Sequence, residues 1–308
     1  MAGVERPMSK RLLLPTAILM TAATLAACTG GGGAASNPPT ASPAAEPTPA
    51  ATPEGLAHPT GPTDIILSYD QAGGFVPVEW LAAHVPIFTL YGDGTVVFVQ
   101  TTAEFKQGAG GVSTNPPLRT AKLTEEQIQS LLLYALQDGG LAVAKEEYSN
   151  MMVADAPTAV FTISADNDTK TVSAYGLGFD SEPSADTAVL KQLAALAERL
   201  GNFDQNGTIA SDPYEATAYR AVITEQQGGV QGVQVTDWPW TDLTVADFKV
   251  PNDPNQLPQG TAIITPEQAE VLGVEGYQNG IPGGIYAKGD DGKIYSIVLR
   301  PLLPHETA

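Results

Sequence analysis

Between residues 30 and 62, 28 of 33 positions are Gly, Ala, Pro, Ser or Thr. So little apolar side chain cannot offset the entropy of ordering the backbone, and the proline-rich part favours extended geometry. The tract therefore reads as a tether. Any hydrophobic core has to come from the 246 residues that follow, 63–308. The tether's reach runs from roughly 30 Å as a flexible coil to about 100 Å in extended polyproline geometry. His58 lies within it and is expected to be solvated.

What precedes the tether explains why a tether is there. Arg6, Lys10 and Arg11 form a basic start, and residues 12–25 form an apolar stretch broken only by Pro15 and a few threonines. At about fourteen residues this is shorter than the roughly 20 of a membrane span and has the layout of a signal peptide. It ends in Leu25-Ala26-Ala27-Cys28, small residues before a cysteine, which is the pattern that lipoprotein processing reads. Residues 1–27 are thus expected to be removed and the Cys28 thiol acylated, holding the chain to the bacterial cell membrane on its extracytoplasmic side. The alternative is an ordinary secretory signal that happens to hold a cysteine.

Cys28 is the single cysteine of the chain. Once it is acylated, disulfides, zinc–thiolate sites and cysteine nucleophiles are excluded, and the fold stands on its core alone. Removal of Glu5, Arg6, Lys10 and Arg11 with the signal leaves 33 acidic against 12 basic residues, a net charge of −21. Such a surface repels nucleic acid and anionic lipid, which are bound through Lys and Arg. No nucleic-acid partner is expected.

The pattern of the remaining chain predicts an α+β fold, with sheets built from antiparallel hairpins and two or three covering helices. A strand is expected over 64–69, then a hairpin of 86–91 and 95–100 around Gly92-Asp93-Gly94, whose glycines can take positive φ. Asp93 is assigned to that turn. Thr124 and Gln127 have the spacing of a capping box before an amphipathic helix that ends at Gly139-Gly140. A second hairpin, 158–164 with 169–175, turns at Asp166-Asn167-Asp168, and a second helix is expected over 184–200. A strand at 219–224, a short helix opened by Thr265-Pro266-Glu267-Gln268 and a closing hairpin of 284–288 with 293–300 complete the pattern. The turn-rich stretch between Gly201 and Pro213 is the expected seam, dividing 63–205 from 206–308 if there are two lobes rather than one continuous domain.

Chemistry is sparse. The sequence holds no G-x-S-x-G, H-E-x-x-H, phosphate-loop or dinucleotide pattern. Outside the tether the histidines are His84 and His305. A Ser-His-Asp triad would need His84, whose apolar neighbours suit a packing role instead. No catalytic residue, metal site or cofactor is therefore assigned. Asn202-Phe203-Asp204-Gln205-Asn206-Gly207-Thr208-Ile209 matches the opening of an EF-hand loop, making Asp204 and Asn206 the calcium candidates. The twelfth position, which should be Glu, is Pro213. The other reading is a helix cap and a polar loop. Trp238 and Trp240, two apart on an extended segment, would share a face and could stack on a sugar or peptide, or else pack in the core.

The stretch 86–94, the triplet Trp238-Pro239-Trp240 and the ending Arg300-Pro301-Leu302-Leu303-Pro304 together resemble bacterial surface lipoproteins that have no assigned activity. The resemblance implies a surface lipoprotein and carries no functional residue beyond Cys28. Two functional classes follow. One is a non-enzymatic binding or structural module of the cell envelope, with an envelope glycan or protein as partner. The other is an envelope hydrolase with a dispersed carboxylate pair.

Overall fold

Thr124 Oγ1 accepts from the Gln127 N–H and Gln127 Oε1 accepts from the Thr124 N–H, at 3.3 and 2.8 Å, so the expected capping box opens the helix Glu125–Leu136. The computed structural model describes residues 55–101, 112–204, 207–227, 232–251 and 259–306. In chain order the strands are β1 (Ile65–Gly73), β2 (Phe88–Tyr91), β3 (Thr95–Val99), β4 (Leu118–Lys122), β5 (Glu147–Ser149), β6 (Pro157–Ala165), β7 (Asp168–Tyr175), β8 (Asp212–Pro213), β9 (Tyr219–Glu225), β10 (Val235–Asp237), β11 (Gln259–Ile264), β12 (Ile281–Lys288) and β13 (Ile294–Pro301). The helices among the described residues are α1 (Val78–Ala82), α2 (Glu125–Leu136), α3 (Thr187–Gly201) and α4 (Pro266–Glu270).

The fold is mostly β with some helices. Eight strands form one sheet in the order β5-β7-β6-β1-β2-β3-β4-β8, and five form a second, β10-β12-β13-β9-β11. Pairing is antiparallel except at one edge of each sheet, where β5 runs parallel to β7 and β10 parallel to β12. This corrects the purely antiparallel expectation. Both exceptions are three-residue strands, and neither is joined to its neighbour by the tight turn that enforces antiparallel pairing. The first sheet also crosses the expected seam, because β8 pairs with β4, and the described residues belong to one compact unit, Pro53–Ala308.

Each sheet has its own core. Ile128, Leu131 and Leu132 of α2 and Leu193, Leu196 and Leu200 of α3 cover Phe88, Leu90, Val96, Phe98 and Phe161 on one face of the first sheet. Helical spacing of three and four residues aims these leucines at the sheet. On its far face, Tyr91, Val97 and Leu118 pack against Tyr214 and Leu303, while Ala83, just after α1, packs on Val222 and Val298 of the second sheet. At the β6–β7 edge the outer face is wet: Thr162 bonds Thr171 and Ser164 bonds Thr169.

Residues 55–62 are docked by hydrogen bonds although Gly55, Ala57, Pro59, Thr60 and Pro62 stay exposed, which shortens the expected tether. Gln129 of α2 exchanges two hydrogen bonds with the backbone of Leu56, at 2.8 and 2.9 Å. The Ala57 N–H donates to Asp166 Oδ1, and the Ala57 carbonyl accepts from the Asp166 N–H. The His58 imidazole is 4% exposed and lies 3.1 Å from Glu125 Oε1. Composition predicts the entropy of such a stretch but not the partners that a distant helix offers it.

Candidate functional site

The strand registers place Gly73 opposite Pro157, and Tyr175 beside both Thr158 and Ser149. Three loops, 74–77, 150–156 and 176–186, therefore leave the same end of the eight-stranded sheet. The opposite end carries the Asp166-Asn167 turn where Ala57 docks. Nine-residue β6 joins the two ends, which lie roughly 27 Å apart at about 3.4 Å per residue.

The three loops hold one another in place. The Phe75 N–H donates to the Asp155 carbonyl at 3.2 Å. Asn150 donates through Nδ2 to the Asp180 carbonyl at 3.0 Å and accepts from the Met152 N–H through Oδ1. The Tyr175 hydroxyl reaches the Val153 carbonyl and accepts from the Ala156 N–H. Asp155, at φ +55°, turns the chain back into β6. On this braced frame stand large apolar side chains that are exposed: Phe75 is 92% exposed, Met151 87%, Met152 65% and Phe179 52%. Met152, Val153, Phe179 and Pro183 line a cleft of about 410 Å³ together with Asp180, Ser181 and Glu182. Isolated exposed apolar residues are ordinary; here Met152 and Phe179 share one cleft, and Phe75 and Met151 stand on the hydrogen-bonded loops beside it. These residues had no periodic pattern to announce them. The available signal was Phe75 after Gly73-Gly74, Phe179 after Gly178 and the Met151-Met152 pair, large apolar residues outside any strand or helix run.

A second concavity of about 890 Å³ lies between α2 and α3. Arg199 stacks on Tyr134 at 3.8 Å from the ring centre, with Glu126, Glu198 and Ser130 also in the lining. The groove offers hydrogen bonds and one stacked cation, and its charged lining is Glu126, Glu198 and Arg199.

Of the residues singled out from the sequence, Cys28 and Asn206 lie outside the described residues. Asp204 is 4% exposed and accepts from Gln100 Nε2 at 3.3 Å, while its carbonyl accepts from the Thr208 N–H at 2.8 Å. No group of three metal-binding His, Cys, Asp or Glu side chains occurs among the described residues. Trp240 is buried in the second core, and the partly buried Trp238 packs against it. Their rings meet edge to face at 5.4 Å, Trp240 is 5% exposed, and the two indole N–H groups donate to the Leu243 and Gln268 carbonyls. Pro239 and the three-residue length of β10 end the extended geometry before Trp240 is reached, so alternation no longer governs the pair.

His84 Nε2 sits 2.5 Å from Asp70 Oδ1, and His305 Nδ1 lies 2.8 Å from the Tyr91 hydroxyl. Burial lowers the pKa of His305. Among the described residues, the carboxylates with displaced pKa values, Asp93 and Glu306 among them, are displaced downward. Burial works the other way at both, but hydrogen bonds from Lys122 and Thr95 outweigh it at Asp93, and from Arg300 and Leu303 at Glu306. A general acid for glycoside hydrolysis needs a carboxyl displaced upward. Asp93 also occupies the expected turn, accepting from the Thr95 N–H at 2.9 Å. Among the described residues no helix is long and apolar enough to cross a membrane. No protein-family model, curated protein or solved structure matches the chain.

Proposed function

We propose that this chain is a lipid-anchored, extracytoplasmic binding module of the bacterial cell envelope, tethered through Cys28 and engaging a protein partner with its three apolar loops. The observation that carries the reading is the opposition of the two ends of the first sheet. The tether joins at the Asp166 end, and Phe75, Met151, Met152 and Phe179 project from the other. Because the tether enters at the first end, it leaves the second end free of the attachment, where a partner can reach it. Loops placed on a rigid sheet are the usual carriers of recognition, and a surface of this kind on a soluble unit costs solubility unless it is used.

A photo-crosslinking amino acid placed at Met151 in the full chain tests this in intact cells, with Asn167 at the opposite end as the control. The expected result is a discrete crosslinked species from position 151 and none from 167. Equal labelling from both positions, or none from 151, overturns the reading.

A further inference from the structure

We infer that the partner's contacting segment is a basic amphipathic peptide, apolar on the side that enters the Met152–Phe179 cleft and rich in Lys or Arg beside it. This rests on the binding-module reading and adds the chemistry of what is bound.

The first ground is charge. The loops and their flanks, residues 73–83, 149–157 and 176–184, contain Glu79, Asp155, Asp180 and Glu182 and not one Lys or Arg. Asp155, Asp180 and Glu182 are all exposed. The nearest lysine in sequence, Lys145, is held 2.7 Å from Asp186. An apolar surface ringed by one sign of charge selects a partner of the other sign, steering it in and discriminating against acidic competitors.

The second ground is the kind of apolar surface. Two of its four most exposed members are methionines, whose unbranched, polarisable side chains mould to varied apolar shapes and are favoured where amphipathic peptides dock. The cleft of about 410 Å³ is open to solvent and lies within the range of ligand sites, so an apolar side chain can enter without displacing core residues. The same acids disfavour a bilayer as the occupant. Anionic headgroups attract Lys and Arg, and this surface has neither in a chain of net charge −19.

The test uses the full chain carrying Cys28→Ala, so that no detergent competes for the surface. Fluorescence anisotropy follows binding of a labelled amphipathic Leu/Lys helix and of its Leu/Glu counterpart. The expected result is saturable binding of the Leu/Lys peptide, weakened at least about tenfold by Met152→Ser with Phe179→Ser. Asp180→Asn with Glu182→Gln should weaken it further and flatten its salt dependence. All four side chains are exposed, and an unchanged melting temperature confirms that the variants fold. Leu/Glu binding as tight as Leu/Lys, or Leu/Lys binding indifferent to these substitutions, overturns the inference. So does loop-dependent binding to phosphatidylglycerol vesicles in preference to the peptide. If the peptide results are negative while position 151 still crosslinks a discrete partner in cells, the charge assignment alone is wrong. Loss of both removes the binding-module reading as well.

Discussion

Arg300 Nη1 lies 2.6 Å from Glu306 Oε1, and the same guanidinium donates through Nε to the His84 carbonyl, 2.5 Å away. One buried side chain of β13 thus holds both the C-terminal segment and the chain leaving α1. Glu306 Oε2 in turn accepts from the Leu303 N–H at 3.0 Å, and Leu303 packs with Tyr91 and Val97 of the first sheet. The two side chains are 10 and 14% exposed. Removing Glu306 leaves the buried Arg300 guanidinium without its carboxylate, whereas Glu306 also has Arg220 Nη2 at 3.5 Å.

Glu306→Gln should therefore destabilise the protein by about 3 kcal/mol, near the lower end for a broken buried pair. For a unit of this size that is a fall in melting temperature of roughly 6–12 °C. Replacing both partners by apolar residues of similar volume should cost less than Glu306→Gln alone. Calorimetric melting of the two variants measures the difference.

The same corner sets an acid limit in two steps. Burial lowers the pKa of His305, so its contribution is present above the unfolded value of about 6.5 and is lost as the pH falls through the lower folded value. At Glu306, burial pushes upward but hydrogen bonds from Arg300 and the Leu303 N–H prevail, leaving the carboxyl below its usual range. Its contribution is present above about pH 4.3 and is lost as the pH falls through the folded value. Urea midpoints should decline gently below about pH 6.5 and steeply below about 4.3. His305→Gln should remove the first decline, and Glu306→Gln should reduce the second, which Asp93 and other lowered carboxylates share.

Thr124→Ala removes the acceptor of the capping box and should cost about 1 kcal/mol. Thr124→Ser keeps the hydroxyl and should cost little. A urea titration followed by far-UV circular dichroism separates the two.

The helix that Thr124 caps was legible because its signals are local: a cap, a reciprocal Gln three residues on and a leucine stripe. The hairpin at Gly92-Asp93-Gly94 and the one at Asp166-Asn167, whose turn residues take positive φ of 53 and 63°, are local in the same sense. The pairing of β1 with β6 brings Gly73 to Pro157, and nothing near either residue announces the other. Helix α1 and strands β5 and β8 are too short to show a period. Strand β11 hides behind Gln259 and Gly260, where Gly260 is required because a Cβ there would meet Ile223 and Phe248 at 2.9 Å. The apolar loops escaped notice for a different reason. Periodicity detects what is buried, and Phe75, Met151 and Phe179 are not.

Trp240 donates to the Gln268 carbonyl within α4 and packs against Phe248, so its loss opens the second core. Trp240→Ala should cost about 3–5 kcal/mol. Trp240→Phe, which retains most of the ring, should cost clearly less. If these indoles were instead a ligand platform, both substitutions would leave the melting temperature unchanged.

The proposed anchor makes the most separable prediction. The acyl chains of a processed lipoprotein bury far more methylene groups than a single myristoyl chain, which at about 0.8 kcal/mol per CH₂ binds membranes only marginally. Anchoring through Cys28 should therefore be effectively permanent, and washing with high salt or carbonate should not release the protein. Cys28→Ala removes the acylation site but leaves the basic start and the apolar stretch of the signal in place. Nothing in the described core draws on that thiol, so the variant's folded unit should melt like wild type. Metabolic labelling with a fatty-acid analogue should mark wild type and not Cys28→Ala. The variant should appear as unprocessed precursor or as a soluble secreted form. Equal labelling of the two, or no labelling of wild type in a cell that processes other lipoproteins, would remove the anchor. The apolar loops would then be tied to no bilayer, and the argument from the opposed ends of the sheet would fail with it.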